Sequence, residues 1–372
     1  MKKILVIILT LNLLACTKKG NDTIKVGEVN SLTGNDASFG VSTHRGIEMA
    51  VNEINSAGGI EGKKIELITL DDQGKPEEAA IAITKLITQE KVITVLGEVA
   101  SSRSLAMAPI AQQYKIPMLS PSSTNPKVTM IGDYIFRASF IDPFQGKVMA
   151  RFALDYLKIK KVAVFKDIKN DYSLGLSEFF IKTFAENGGE IVVEQSYSSG
   201  DIDFKSQLTA IKSKNPQAIF LPGYYTETAL IARQARELGI KVPFLGGDGW
   251  DSPKLTEIAR GALDGSYHSS HYSAENQNPK TISFNKKFNE LYGVVPDAMA
   301  ATGYDAAYLL AHALKKSSNT NPEKIRDALA QTKDLEGITG KITLDENRNP
   351  TKSAVILKVE NNVIKYHSTI DP

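Results

Sequence analysis

The stretch Val92-Ile93-Thr94-Val95-Leu96-Gly97-Glu98-Val99-Ala100-Ser101-Ser102 decides how this chain folds. A strand over residues 92–96 runs through a short turn into a helix over 101–114. The same grammar recurs on both sides. Upstream, strands are expected near 24–29 and 65–70, with helices over 45–57 and 76–87. Gly58-Gly59 stops the first helix and Pro76 opens the second. A fourth strand follows over 116–119. Downstream, the periodicity predicts helices over 144–157, 172–187, 204–212 and 227–238. Strands are expected over 162–165, 191–193, 218–221 and 243–245. Long helices over 281–292 and 298–315, a short one from 322, and strands over 338–344 and 354–359 complete the series.

Apolar strands alternating with helices imply parallel sheets covered on both faces. These are too many strands for one ordinary sheet. The expected fold class is therefore α/β, with two doubly wound parallel-sheet lobes and a break near 139–143. Ligands of such sheets sit beyond the carboxyl ends of the strands.

The N-terminus predicts the compartment. Lys2 and Lys3 precede an apolar run over 4–15, too short to span a bilayer. The run ends in Leu13-Leu14-Ala15-Cys16, and Cys16 is the only cysteine. This reads as a lipoprotein signal peptide over 1–15, with lipidation of Cys16 and a polar tether over 16–23. The body is then expected outside the cytoplasm, anchored to a membrane by lipid without crossing it. With Cys16 acylated, no thiol remains for a disulfide, a thiolate metal site or a nucleophile. Lys and Arg number 44 against 42 Asp and Glu, a net charge of +2. Loss of Lys2 and Lys3 with the leader makes the mature chain neutral. Such a chain has no general electrostatic reason to bind nucleic acid.

The residues just after strands carry the chemistry. Ser101 and Ser102 stand at a helix N-terminus, a good seat for a carboxylate. Ser120-Pro121-Ser122-Ser123-Thr124 forms a second cluster of neutral donors on the same rim. In the second half, Tyr172, Tyr224 and the run Gly246-Gly247-Asp248-Gly249-Trp250 follow successive strands. One half thus suits an anion, and the other offers a carboxylate and aromatic faces to a cation. A zwitterion such as an amino acid needs both. Each residue also has an ordinary reading: Ser101 as a helix cap, Asp248 as a turn residue, Trp250 as core. No nucleophile elbow, phosphate loop or dinucleotide fingerprint is present, so no cofactor is expected and no enzyme. His268 and His271 form an HxxH pair without an evident third ligand, so no metal is expected.

Several segments in order carry a family resemblance. They include Phe39-Gly40 and Gly46, Asn52-Glu53-Ile54-Asn55 with Gly58-Gly59, Leu70-Asp71-Asp72, and Gly97 with Ser101. Phe136-Arg137, Asp142 with Gln145-Gly146, Tyr172-Ser173-Leu174-Gly175 and Gly303-Tyr304-Asp305-Ala306 continue the set. The chain resembles the type I solute-binding proteins of branched-chain amino-acid ABC transporters, the Leu/Ile/Val-binding family.

The resemblance implies two lobes joined by three crossovers, near Phe140-Ile141, His271-Tyr272 and Asn349-Pro350. Lobe 1 would comprise 24–140 with 272–349, and lobe 2 would comprise 141–271 with 350–372. It implies a monomer that binds a small amino acid and delivers it to ABC permease subunits. Ser101, Ser122 and Thr124 would hold the ligand carboxylate, Asp248 would meet the ammonium, and Tyr172 and Tyr224 would supply aromatic faces. Phe39 and Trp250 would line the side-chain pocket. Asp248 replaces a glutamate of the familiar members, Phe39 a tyrosine and Trp250 a small residue. The ligand side chain therefore stays open. An amide, urea or aromatic acid is the alternative cargo, and ligand sensing the alternative role.

Overall fold

A computed structural model describes residues 23–318 and 320–372. The leader, Cys16 and most of the tether lie outside the described residues. The first lobe opens with β1 (Ile24–Asn30), α1 (Ala37–Ser56), β2 (Ile65–Asp71), α2 (Pro76–Lys85), β3 (Val95–Leu96) and α3 (Ser101–Tyr114). β4 (Met118–Ser120), α4 (Lys127–Met130) and β5 (Ile135–Arg137) complete its sheet. The chain then passes to the second lobe. There it forms α5 (Asp142–Arg151), β6 (Lys161–Asp167), α6 (Asp171–Glu186), β7 (Glu190–Tyr197) and α7 (Lys205–Ser213). β8 (Ala218–Phe220), α8 (Tyr225–Glu237), β9 (Phe244–Gly246), α9 (Pro253–Ala259) and β10 (Tyr267–Ser270) follow. Next, α10 (Pro279–Tyr292), α11 (Ala298–Ser317), α12 (Pro322–Ala330), β11 (Leu335–Gly337) and β12 (Gly340–Ile342) return to the first lobe. β13 (Ala354–Glu360) and β14 (Val363–Ile370) end the chain in the second.

The first sheet has the order β2-β1-β3-β4-β5 and is parallel throughout. The second has the order β14-β13-β10-β9-β8-β6-β7. Five of its strands are parallel, but β13 runs antiparallel to β10 and β14 antiparallel to β13. The two C-terminal strands thus extend an otherwise parallel sheet at one edge as an antiparallel hairpin. Asn361 and Asn362, both at positive φ (52° and 59°), supply the two-residue turn that joins β13 to β14.

Side-chain alternation explains the layers. Val162 and Val164 of β6 pack on one face with Met149, Leu176 and Phe180. Ala163 and Phe165 pack on the other with Phe204, Leu208 and Ile231. Both faces are covered, so the strand reads as a continuous apolar run. In the first lobe α1, α11 and α12 cover one face, and α2 and α3 the other. α1 and α11 approach closely at two glycines. A Cβ on Gly46 would come 2.0 Å from the Ala300 carbonyl oxygen, and one on Gly303 would come 2.5 Å from that of Thr43.

Three departures from the expected elements bear on the site. α1 begins at Ala37, eight residues earlier than its periodicity predicts, and carries Phe39 in its first turn. β3 is confined to Val95–Leu96. α4, β5, α9, β10, β11 and β14 were not foreseen. No helix among the described residues is long and apolar enough to cross a membrane.

Candidate functional site

In each sheet the winding reverses direction once, between β1 and β3 and between β6 and β8. Loops on either side of such a reversal diverge and leave a crevice. The two crevices face each other across a small, tightly lined cavity. From the first lobe come Phe39 of α1, Val99 and Ala100 of the β3–α3 loop, Ser101 of α3, and Ser122 and Thr124 after β4. Met299 of α11 joins them. From the second lobe come Tyr172 of α6, Tyr224 after β8, and Asp248 and Gly249 after β9.

The first-lobe wall is set by buried hydroxyls and one arginine. The Glu98 carbonyl accepts hydrogen bonds from Ser104 Oγ (2.8 Å), Ser120 Oγ (2.7 Å) and Ser123 Oγ (3.0 Å), which fixes the 97–100 loop. Arg137 is fully buried and donates to the Ser123 and Asn125 carbonyls on either side of Thr124. Burial pushes its guanidinium down to about 10. Ser101 Oγ accepts from Asn125 N at 3.2 Å, and the hydroxyls of Ser122 and Thr302 share a 2.6 Å bond. Thr124 Oγ1 is buried beside the Asp142 carboxyl. The first-turn N–H groups of α3 lack intrahelical partners by construction. A donor-rich surface of this kind suits a carboxylate.

The second-lobe wall is aromatic and acidic. Tyr172 and Tyr224 stack at 5.4 Å, and Phe39 meets Tyr224 edge-on at 5.4 Å across the gap. The Tyr172 hydroxyl accepts from Gly249 N at 3.0 Å, tying the ring to the β9 loop. Asp248 is buried; its Oδ1 accepts from Gln145 Nε2 at 3.0 Å, and its Oδ2 lies 3.0 Å from His271 Nε2. Each oxygen keeps acceptor capacity for a cation.

Seven of the eight expected side chains thus line one cavity. Trp250 departs from its expectation. It is fully buried in the second lobe's core, donates its Nε1 proton to the Leu221 carbonyl at 3.0 Å, and is not among the cavity-lining residues. A Cβ on Gly246 would fall 2.1 Å from its ring, so that glycine makes room for the indole. Val99, Ala100, Gly249 and Met299 line the cavity and were not foreseen. Met299 sits far along the chain, and only the docking of α11 on α1 brings it near. Of the histidine pair, His271 bonds Asp248, whereas His268 is buried with neither ring nitrogen partnered. Burial pushes His268 down to about 3. Among the described residues, no group of three or more His, Cys, Asp or Glu side chains is placed to hold a metal.

The lobes touch beyond the cavity. Tyr225 donates its hydroxyl proton to the Asn35 carbonyl at 2.7 Å, and Ser38 and Ser252 share a 2.7 Å hydroxyl pair. Asn125 Nδ2 donates to the Asp171 carbonyl (2.8 Å), and Asp171 N donates to Ser102 Oγ (2.9 Å). These bonds join the two lobes across the rim of the cavity. Tyr225→Phe should therefore weaken ligand binding by roughly 2- to 10-fold, one neutral hydrogen bond's worth. Calorimetry checks this; an unchanged Kd would show that closure does not depend on that rim.

Burial pushes Asp142 and Asp251 up to about 7, with Asp248 adding to the first and Asp297 to the second. The folded protein then holds protons that the unfolded chain has lost. This contribution to stability is complete below about pH 4 and disappears as pH rises toward about 7. Asp142→Asn removes one such titration. The wild type should lose melting temperature relative to that variant between about pH 5 and 7. Parallel curves would refute the assignment.

Two lobes that face each other across a small polar-and-aromatic cavity form an architecture suited to enclosing a solute. The chain belongs to the periplasmic binding protein family, whose sequence model matches residues 23–363. It is 30% identical over 326 residues to the leucine-, isoleucine-, valine-, threonine- and alanine-binding protein of Pseudomonas aeruginosa, covering 87% of this chain and 86% of that one. Among solved structures it resembles the leucine-binding protein LivK of Thermotoga maritima, with a TM-score of 0.90 at 41% identity, covering 94% and 99% of the two chains. It also resembles the branched-chain amino-acid transporter substrate-binding protein LivJ of Streptococcus pneumoniae in complex with isoleucine. There the TM-score is 0.89 at 35% identity, with 94% and 100% covered. All three are binding proteins by name.

Proposed function

We propose that this protein is the extracytoplasmic substrate-binding component of an ABC importer, anchored through lipidated Cys16, and that it captures an aliphatic amino acid. The ligand carboxylate sits on Ser101, Ser122, Thr124 and the α3 N-terminus. Its ammonium faces Asp248, and its side chain packs among Phe39, Tyr172, Tyr224, Val99 and Met299. The ligand bridges the lobes, so binding favours the closed form, which delivers it to a permease. Residues 24–140 with 272–349 act as one moving body, and 141–271 with 350–372 as the other. The observation that carries this reading is the single cavity joining neutral donors from one lobe to a carboxylate from the other. The names of the relatives support the ligand class.

The test is the small molecule that co-purifies, read by mass spectrometry after denaturation, followed by calorimetry against a panel of amino acids, amides and benzoates. An aliphatic amino acid should bind most tightly. Aromatic acids carry no ammonium for Asp248 and should bind poorly. No heat with any zwitterion at millimolar concentration would defeat the proposal. Calorimetry is preferable to fluorescence because Trp250 is shielded from the cavity.

A further inference from the structure

We infer that Gln145 and His271 are positioning residues for Asp248, holding one carboxylate oxygen each so that the acid faces the cavity with its charge available. The inference rests on the proposed role of Asp248 as the seat of the ligand ammonium.

Gln145 is fully buried on α5. Its amide nitrogen has two protons, and both are used. One goes to Asp142 Oδ1 at 2.8 Å, the other to Asp248 Oδ1 at 3.0 Å. Its carbonyl oxygen accepts from Ser269 Oγ at 3.0 Å and faces the Asp248 N–H at 3.4 Å. The amide orientation is thereby fixed at both ends. A Cβ on Gly247 would come within 3.0 Å of Gln145 Oε1 and 2.4 Å of the Tyr172 hydroxyl, so only a glycine lets the β9 loop lie this close.

His271 completes the clamp from the other side. Its Nε2 lies 3.0 Å from Asp248 Oδ2, and its ring rests on Phe140 with centroids 3.9 Å apart. Its Nδ1 is buried and has no hydrogen-bond partner. The hydrogen bonding assigns the proton to Nε2, because a proton on Nδ1 would be buried without an acceptor. His271 then donates one bond to Asp248 Oδ2, and that oxygen keeps further acceptor capacity.

The clamp also ties the acid to the joints between the lobes. Gln145 follows the first crossing, whose Phe140 carries the His271 ring, and Asp142 N donates to the Thr124 carbonyl at 2.9 Å. His271 stands at the second crossing, directly after β10. Movement at either joint reaches the Asp248 carboxylate through one side chain.

Calorimetry on the full-length protein with leucine and with 4-methylpentanoate, its deaminated analogue, tests the inference. Gln145→Leu and His271→Leu should each weaken leucine binding at least 10-fold and leave the analogue within 3-fold. His271→Gln, which keeps an N–H donor, should recover part of the loss. In an Asp248→Asn background, adding His271→Leu should change leucine affinity less than 2-fold. Equal losses for both ligands, or additive losses in the double variant, would overturn the inference. A second measurement needs no ligand. Nitrogen-15 NMR of the histidine rings should find the His271 proton on Nε2, with a shift on Asp248→Asn. A proton on Nδ1, or no response to that substitution, would overturn the inference even if the leucine variants fail to fold. If the wild type binds no amino acid, the functional proposal fails, while the NMR result still decides whether the clamp exists.

Discussion

Asp248→Ala is expected to lower amino-acid affinity by about 30- to 5,000-fold, the equivalent of roughly 2–5 kcal/mol for removing one partner of a desolvated charge pair. The loss is large because the carboxylate is buried, so water cannot replace it once the lobes have closed. Alanine also strands the Gln145 and His271 donors that now end on the acid. Ser102→Ala offers the comparison. Ser102 lies outside the cavity and contributes a single interlobe bond to Asp171, so its loss should cost no more than about 10-fold. Calorimetry on both variants, with melting curves to show that each is folded, gives the ranking. Small and equal effects would mean that the ligand sits elsewhere.

Gly46→Ala is expected to destabilise the whole protein. In an exposed helix this change would be favourable by about 1 kcal/mol, since alanine is the better helix former. Here the new methyl would lie 2.0 Å from the Ala300 carbonyl oxygen and 2.8 Å from its carbon. Both belong to the backbone of α11, so no flexible side chain can yield, and the helices must separate. Overpacking of this kind costs up to about 3 kcal/mol or more, which outweighs the propensity gain. The same displacement would shift Phe39 on α1 and Met299 on α11, both cavity walls, so affinity should fall with stability. Thermal unfolding and calorimetry of the variant check this. A higher melting temperature would show that the helix contact has slack.

Much of this was legible in the sequence, for identifiable reasons. Residues 162–165 read as a buried strand because both faces of β6 meet apolar helices, so no polar residue interrupts the run. Loops after strands line the candidate cavity because parallel sheets gather them on one rim. Other features were hidden by distance along the chain. Tyr267–Ser270 looks unlike a strand because Ser269 and Ser270 are polar; its place is secured by β9 on one side and β13 on the other. Trp250 lies two residues from Asp248, yet a short helical turn aims it into the core while the acid faces the cavity. His271 read as a joint residue; its bond to Asp248 depends on how β10 sits beside β9, which no local pattern encodes. The Asn361-Asn362 pair is a hairpin signal readable in the sequence, both residues taking the positive φ such a turn requires.

Strand pairing also dictates when the molecule can be finished. Ser269 pairs with Ile356, and β14 joins the same sheet only through β13. α1 rests on α11, which begins at Ala298. Neither half can therefore mature while the ribosome is still working through the last quarter of the message. Both halves gain their last layers only from the C-terminal segments, α11 in the first lobe and β13 with β14 in the second. Ending the chain ahead of Ala354 would strand β10 as a raw edge, and such a product should be recovered as aggregate.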